Sequence, residues 1–189
     1  YAQAYPERVT ELMLRGIFLF EQNEIDWLYK YGASELFPEG WEDFTGLVPA
    51  EERGDLVAAY RRRLTASDSA WSTWEGLTVT LLPDPAMMAE FTEDSRAIAI
   101  ARIENHYMAN RGWLEEGQLL KGAERLRGIP GIIVQGRHDN CTPPSAAWKL
   151  KKAWPEVDLQ IVPDGGHLYS EPGILDGLVR ATDRFAERS

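Results

Sequence analysis

The sequence predicts an α/β fold: a parallel sheet covered by helices and interrupted by a long helical insertion. Three observations carry that expectation. Two short apolar stretches near the C-terminus, Ile132-Ile133-Val134 and Val157 to Val162, each end in a glycine-bearing loop and are followed by an apolar-striped helix. That alternation is the pattern of right-handed βαβ units. A third apolar run, Val9 to Phe18, has the continuous character of a strand buried on both faces. Between it and the other two lies a long aromatic-rich stretch with no strand pattern.

The elements follow in order. Tyr1 to Tyr5 reads as the tail of a helix halted by Pro6, so the chain is expected to begin inside a larger fold. After the Val9–Phe18 strand, Ile25, Leu28, Tyr29 and Leu36 give helical spacing from Asn23 to Phe37, closed by Pro38 and Gly40. Leu56, Val57, Tyr60 and Leu64 share one helical face, and Met87, Met88, Phe91 and Ile98 another, after Pro85 at a first turn. Residues 1–20 and 128–189 are therefore assigned to the sheet core and 21–127 to a helical cap. Ile132 to Val134 form a buried strand, a helix starts near Pro144, and Val157, Leu159 and Ile161 alternate with Asp158 and Gln160. The last helix carries Ile174, Leu175, Leu178, Val179 and Phe185 as its apolar stripe.

Bulk properties exclude several function classes. A net charge of −10 repels a phosphate backbone, and Arg61-Arg62-Arg63, the one basic cluster, lies on a helical pattern as a solvated face. No nucleic acid is expected as a partner. The single cysteine, Cys141, permits no intrachain disulfide. No apolar stretch has membrane-spanning length, so no membrane contact is expected and a cytoplasmic location is the default. The three histidines lack short metal-ligand spacing; neither a zinc site nor any other cofactor is expected.

Ligands of open parallel sheets bind beyond the carboxyl ends of the strands. Two loops here end strands and carry titratable groups: Gln135-Gly136-Arg137-His138-Asp139 and Asp164-Gly165-Gly166-His167. Asp139 precedes His167 by one βαβ unit, the order in which hydrolases of this architecture place their acid and histidine. A near-neutral histidine takes a proton from a nucleophile and returns it to a leaving amine, and a buried aspartate holds the imidazole in the right tautomer. Either residue alone also reads as an ordinary turn residue. Placed together at consecutive strand ends, they are the candidate catalytic pair. His138 and His106 compete for the histidine role, the first pointing away if the backbone is extended, the second lying on the helical insertion.

Several stretches resemble the proline iminopeptidase family of α/β-hydrolases: Tyr5-Pro6-Glu7-Arg8-Val9, Leu14-Arg15-Gly16-Ile17-Phe18, Trp71-Ser72-Thr73-Trp74-Glu75-Gly76, Ala101-Arg102-Ile103-Glu104-Asn105-His106-Tyr107, Gly136-Arg137-His138-Asp139, Lys152-Ala153-Trp154-Pro155 and Gly165-Gly166-His167. The resemblance implies a partial α/β-hydrolase sheet with a helical cap, and a serine exopeptidase acting on peptides with an N-terminal proline. It implies that Glu75 and Glu104 bind the substrate imino group and that Arg15 and Phe18 stand at the pocket wall, Arg15 able to pair with one of the acids. The two glutamates also read as plain helix-surface acids.

The family pattern is not complete here. No serine lies in a Gly-x-Ser-x-Gly elbow and no His-Gly-Gly oxyanion loop occurs. The family also tends to a longer helical stretch between the positions of Ala70 and Trp71, so the cap is expected to be either shortened or incompletely represented there. The nucleophile is expected upstream, in a missing N-terminal segment that would be this chain's partner, and the chain alone is expected to be inactive and prone to aggregate. Two alternatives stay open: an α/β-hydrolase of another ester, amide or epoxide, and a non-catalytic hydrolase-like binding module.

Overall fold

The computed structural model describes residues 1–64, 70–82 and 84–187. In chain order they form β1 (Leu12–Arg15), α1 (Gln22–Tyr29), α2 (Ala33–Leu36), α3 (Pro38–Gly46), α4 (Leu56–Arg63), α5 (Ala70–Val79), α6 (Pro85–Phe91), α7 (Asp94–Ala109), α8 (Gln118–Lys121), β2 (Gly131–Gly136), α9 (Pro144–Ala153), β3 (Asp158–Val162) and α10 (Pro172–Ala186). They divide into two compact units, one of residues 1–19 and 117–189, the other of residues 20–116.

The first unit is a parallel sheet in the order β1-β2-β3. Leu12 pairs with Gly131 and Arg15 with Val134, while Ile132 pairs with Asp158 and Gly136 with Val162. β2 is the central strand and is buried at every position. Successive strand side chains point to opposite faces, and β2 uses both. Ile133 joins Ala147, Leu150, Trp154 and Val157 on the α9 face. Ile132 and Val134 join Ile174, Ala181 and Phe185 on the α10 face. This is why Ile132 to Val134 reads as an unbroken apolar run.

β1 is shorter than the Val9–Phe18 run, and Met13 is 43% exposed. It is an edge strand of the described sheet, so it lacks the second neighbour that buries β2. The α10 stripe is also narrower than its sequence pattern: Ile174 and Phe185 are buried but Leu175 and Val179 are exposed. The unit extends back to Gly117 because Leu119, Leu120, Ala123 and Leu126 pack with Ile133 and Trp154. At the other end, Tyr5 N–H donates to Tyr1 O at 3.0 Å, one helical turn before Pro6.

The second unit is helical. The spacing over 23–37 is broken at Gly32, whose φ is 87°, so α1 and α2 are separate helices. α1 opens with a capping box between Glu21 and Glu24, and Asp55 caps α4 through Ala58 N–H. α5 is apolar or small on nearly every side, and Trp71, Ser72, Trp74, Glu75, Gly76, Thr78 and Val79 are all buried. A helix without a polar face belongs in a core. Phe44 stacks on Tyr60 with centroids 4.5 Å apart, and Tyr29 stacks on Trp71 at 4.6 Å. Buried polar ends are paired: Trp74 Nε1 donates to Leu28 O at 3.0 Å and Asn105 Nδ2 to Val57 O at 2.8 Å. Among the described residues, no helix is long and apolar enough to cross a membrane.

Candidate active site

β2 and β3 run parallel in register, so the loops that leave their carboxyl ends start side by side. Gly136 brings them into backbone contact: a Cβ built there would lie 2.0 Å from Gly166 O. Arg137 N–H donates to Val162 O and His138 N–H to Gly165 O, both at 2.9 Å. The crossing delivers Asp139 and His167 to one place. His167 Nδ1 stands 3.1 Å from Asp139 Oδ1 and 3.0 Å from Oδ2.

The carboxylate of Asp139 is buried and its remaining acceptor positions are occupied. Oδ1 accepts from Cys141 N–H at 3.1 Å and Thr142 N–H at 2.7 Å. Oδ2 accepts from Gln135 Nε2 and from Thr142 Oγ1, each at 2.9 Å. So many donors fix the orientation of the buried carboxylate. Tied to it through Nδ1, the imidazole turns Nε2 away from the acid, the geometry in which Nε2 can exchange a proton with a reacting group.

The histidine loop is gripped from both sides. Glu171, at the N-cap of α10, accepts from Gly166 N–H at 2.5 Å and from Leu168 N–H at 3.3 Å. Arg15, the last residue of β1, donates from Nη1 to His167 O at 2.5 Å. Arg15 thus anchors the histidine backbone within the sheet unit. Phe18 follows β1 and is half-buried.

Glu75 and Glu104 come together in the helical unit. Glu75 lies on α5 and is 6% exposed; Glu104 lies on α7 and is half-buried. The Tyr29 hydroxyl donates a short hydrogen bond to Glu75 Oε1, and Trp71 Nε1 donates to Glu104 Oε2 at 3.3 Å. Burial, and then the charge of Glu104, push the Glu75 pKa up to about 8 against the opposing pull of Tyr29. Burial raises Glu104 as well, opposed by the Trp71 indole. The two carboxylates resist being charged together without a cation.

His106 lies elsewhere, exposed on α7 with its ring against Trp113 and its backbone oxygen bonded by Asn110 Nδ2. His138 is exposed, and its backbone bonds Gly165. Among the described residues no group of three metal-ligating side chains converges. Gln135, Thr142, Glu171 and Tyr29 touch the candidate residues and were not singled out by sequence reasoning. One signal for Gln135 was available: a polar residue closing an otherwise apolar buried strand, Ile132-Ile133-Val134-Gln135.

A family model described as alpha/beta hydrolase fold matches residues 1–173. The chain is 48% identical over 194 residues to a probable proline iminopeptidase of Leptolyngbya boryana, covering 98% of this chain and 60% of that protein. It is 47% identical to a proline iminopeptidase of Xylella fastidiosa strain Temecula1, with 98% and 62% covered. A proline iminopeptidase of Arabidopsis thaliana is 44% identical, with 98% and 51% covered. The chain spans about half to three-fifths of the length of these curated relatives.

Proposed function

This chain belongs to the alpha/beta hydrolase fold family, and from that premise we propose that it is part of a cytoplasmic serine exopeptidase releasing N-terminal proline from peptides. The observation that carries the proposal is the Asp139–His167 pair at consecutive strand ends, Nδ1 to Oδ2 3.0 Å. The names of its relatives, at 44–48% identity, support the substrate.

In this reading His167 is the general base and Asp139 its orienting acid. A serine outside these 189 residues supplies the nucleophile, and the segment that carries it is the partner of this sheet. Its hydroxyl adds to the prolyl carbonyl as His167 Nε2 takes the proton. The same nitrogen returns that proton to the departing amine, which leaves an acyl-enzyme. Water, deprotonated by His167, then cleaves the ester and frees proline.

The helical residues 20–116 act as a cap in the same reading, and Glu75 with Glu104 takes the substrate imino group. The match is chemical. Burial disfavours two adjacent carboxylates, and a secondary ammonium is the counter-ion that lets both ionise. Two acids closing a pocket also exclude further residues before the proline. Arg15 and Phe18 are assigned to the pocket wall.

The test is hydrolysis by the full-length protein of a prolyl amide and of a neutral ester. Glu75→Gln combined with Glu104→Gln should abolish proline release and leave ester hydrolysis nearly unchanged. Equal loss on both substrates would remove the imino-binding role. Ester or epoxide turnover without prolyl amide turnover in the unaltered protein would favour another hydrolase, and binding without any turnover a non-catalytic module.

A further inference from the structure

We infer that Gln135 is a positioning residue that sets the Asp139–His167 pair from behind, an inference that rests on the catalytic reading of that pair. Gln135 is the penultimate residue of β2 and is 1% exposed. Its side-chain amide joins three separate segments. Nε2 donates to Asp139 Oδ2 at 2.9 Å and to Thr142 O at 3.0 Å, and Oε1 accepts from Ile17 N–H at 3.3 Å. Both amide hydrogens and the amide oxygen are used, so every polar atom of this buried side chain has a partner.

The three contacts have one mechanical effect. Asp139 Oδ2 is an oxygen that His167 Nδ1 approaches, at 3.0 Å, and the Gln135 donor fixes which way its lone pairs face. Thr142 carries both a backbone and a hydroxyl donor to the same carboxylate, and Gln135 pins its carbonyl. Ile17 follows Gly16, and a Cβ at Gly16 would lie 3.1 Å from His167 Cε1. Gln135 therefore ties the strand end that packs on the imidazole to the carboxylate that holds it. An isosteric apolar side chain would leave Ile17 N–H, Thr142 O and one carboxylate site unpaired, and buried polar groups without partners shift to find them.

Gln135 reaches His167 only indirectly, through Asp139, Thr142 and the Ile17 strand end. Its removal should lower kcat with little change in KM, because the pair is used in the chemical steps and not in holding the peptide. A displacement of catalytic groups by about 1 Å costs on the order of 10²-fold.

The experiment compares Gln135→Met and Gln135→Glu with the unaltered full-length protein, in turnover of a prolyl amide and a neutral ester and in the 15N spectrum of the His167 imidazole. Gln135→Met keeps length and volume without a donor. Gln135→Glu keeps the acceptor facing Ile17 N–H and presents a carboxyl to Asp139. The expected result is a fall in kcat of about 10- to 100-fold with both variants on whichever substrate is turned over. KM should stay within a few-fold, and the His167 nitrogen shifts should move while those of His106 and His138 do not. Unchanged kcat with unchanged His167 shifts in a folded variant would overturn the inference. So would loss of activity that merely follows the folded fraction. The imidazole spectrum needs no turnover, so an inactive parent protein would refute the peptidase reading while still deciding the role of Gln135.

Discussion

Gly16 packs against the imidazole of His167: its φ is 54°, and a Cβ there would stand 3.1 Å from Cε1. β1 and the histidine loop are thus fitted to one another at a point where only hydrogen occupies the space. Arg15, one residue earlier, holds the backbone of the same histidine. Gly16→Ala forces a left-handed conformation on a side-chain-bearing residue and pushes on the ring. The expected cost is about 1–2 kcal/mol of stability together with about a 10-fold or greater loss of kcat. Chemical denaturation and steady-state kinetics on the full-length protein measure the two effects separately.

Asp139 accepts from Gln135 Nε2, the backbone of Cys141 and Thr142 and the Thr142 hydroxyl, and faces His167 Nδ1. Asp139→Asn keeps the shape but turns an NH2 group toward donors and offers His167 the wrong tautomer. Turnover should fall by about 10³- to 10⁴-fold, with circular dichroism unchanged. A loss below tenfold would remove Asp139 from the catalytic pair.

Glu75 makes stability depend on pH. Its pKa is raised in the folded protein from the ordinary 4.5 to about 8. Between those values the folded state keeps a proton that the unfolded state has released. The contribution is therefore complete below about 4.5 and is lost as pH rises through about 8. Glu75→Gln should flatten that decline and be the more stable form at about pH 9, by more than about 1 kcal/mol. Urea midpoints at about pH 5 and about pH 9 check the sign, which is opposite to that of a salt-bridged carboxylate.

Gly136 marks the closest approach of the two site-bearing loops. A Cβ 2.0 Å from Gly166 O meets backbone and not a flexible side-chain tip. Gly136→Ala should cost more than about 4 kcal/mol or prevent folding, because the loops must separate to admit the methyl group. A soluble variant with a parental urea midpoint would contradict the loop crossing. Gly46, with open space around its α-carbon, is the control position, where alanine should be tolerated.

Much of this arrangement is legible in the sequence. The run Ile132 to Val134 announces a strand buried on both faces, and Gly136 follows it after one residue. The Asp139 and His167 loops are visible as strand-end loops for the same reason. Glu75 reads in the sequence either as an imino-binding acid or as a plain helix-surface acid, and its burial is seen only in α5, which has almost no polar face. Other features were not legible. The pattern over 23–37 is periodic through Gly32 and conceals the break between α1 and α2. Leu175 and Val179 fit the α10 stripe yet face outward, because periodicity says which side chains share a face and not how much of that face is covered. Arg15 reads as a pocket residue, but its described hydrogen bond is to the His167 backbone.

The sequence by itself determined the α/β class and the strand-end placement of Asp139 and His167. Each of these depends on local properties: side-chain period, the conformational reach of glycine, and the polarity of near neighbours. Only the tertiary structure decided what holds the site. The Gln135–Ile17, Arg15–His167 and Gly136–Gly166 contacts span long stretches of chain. The parallel register of β1, β2 and β3 brings them together. Such pairings have no signature in either partner's local sequence, because hydrogen bonding and close packing depend on distance in space, and the sheet sets that distance.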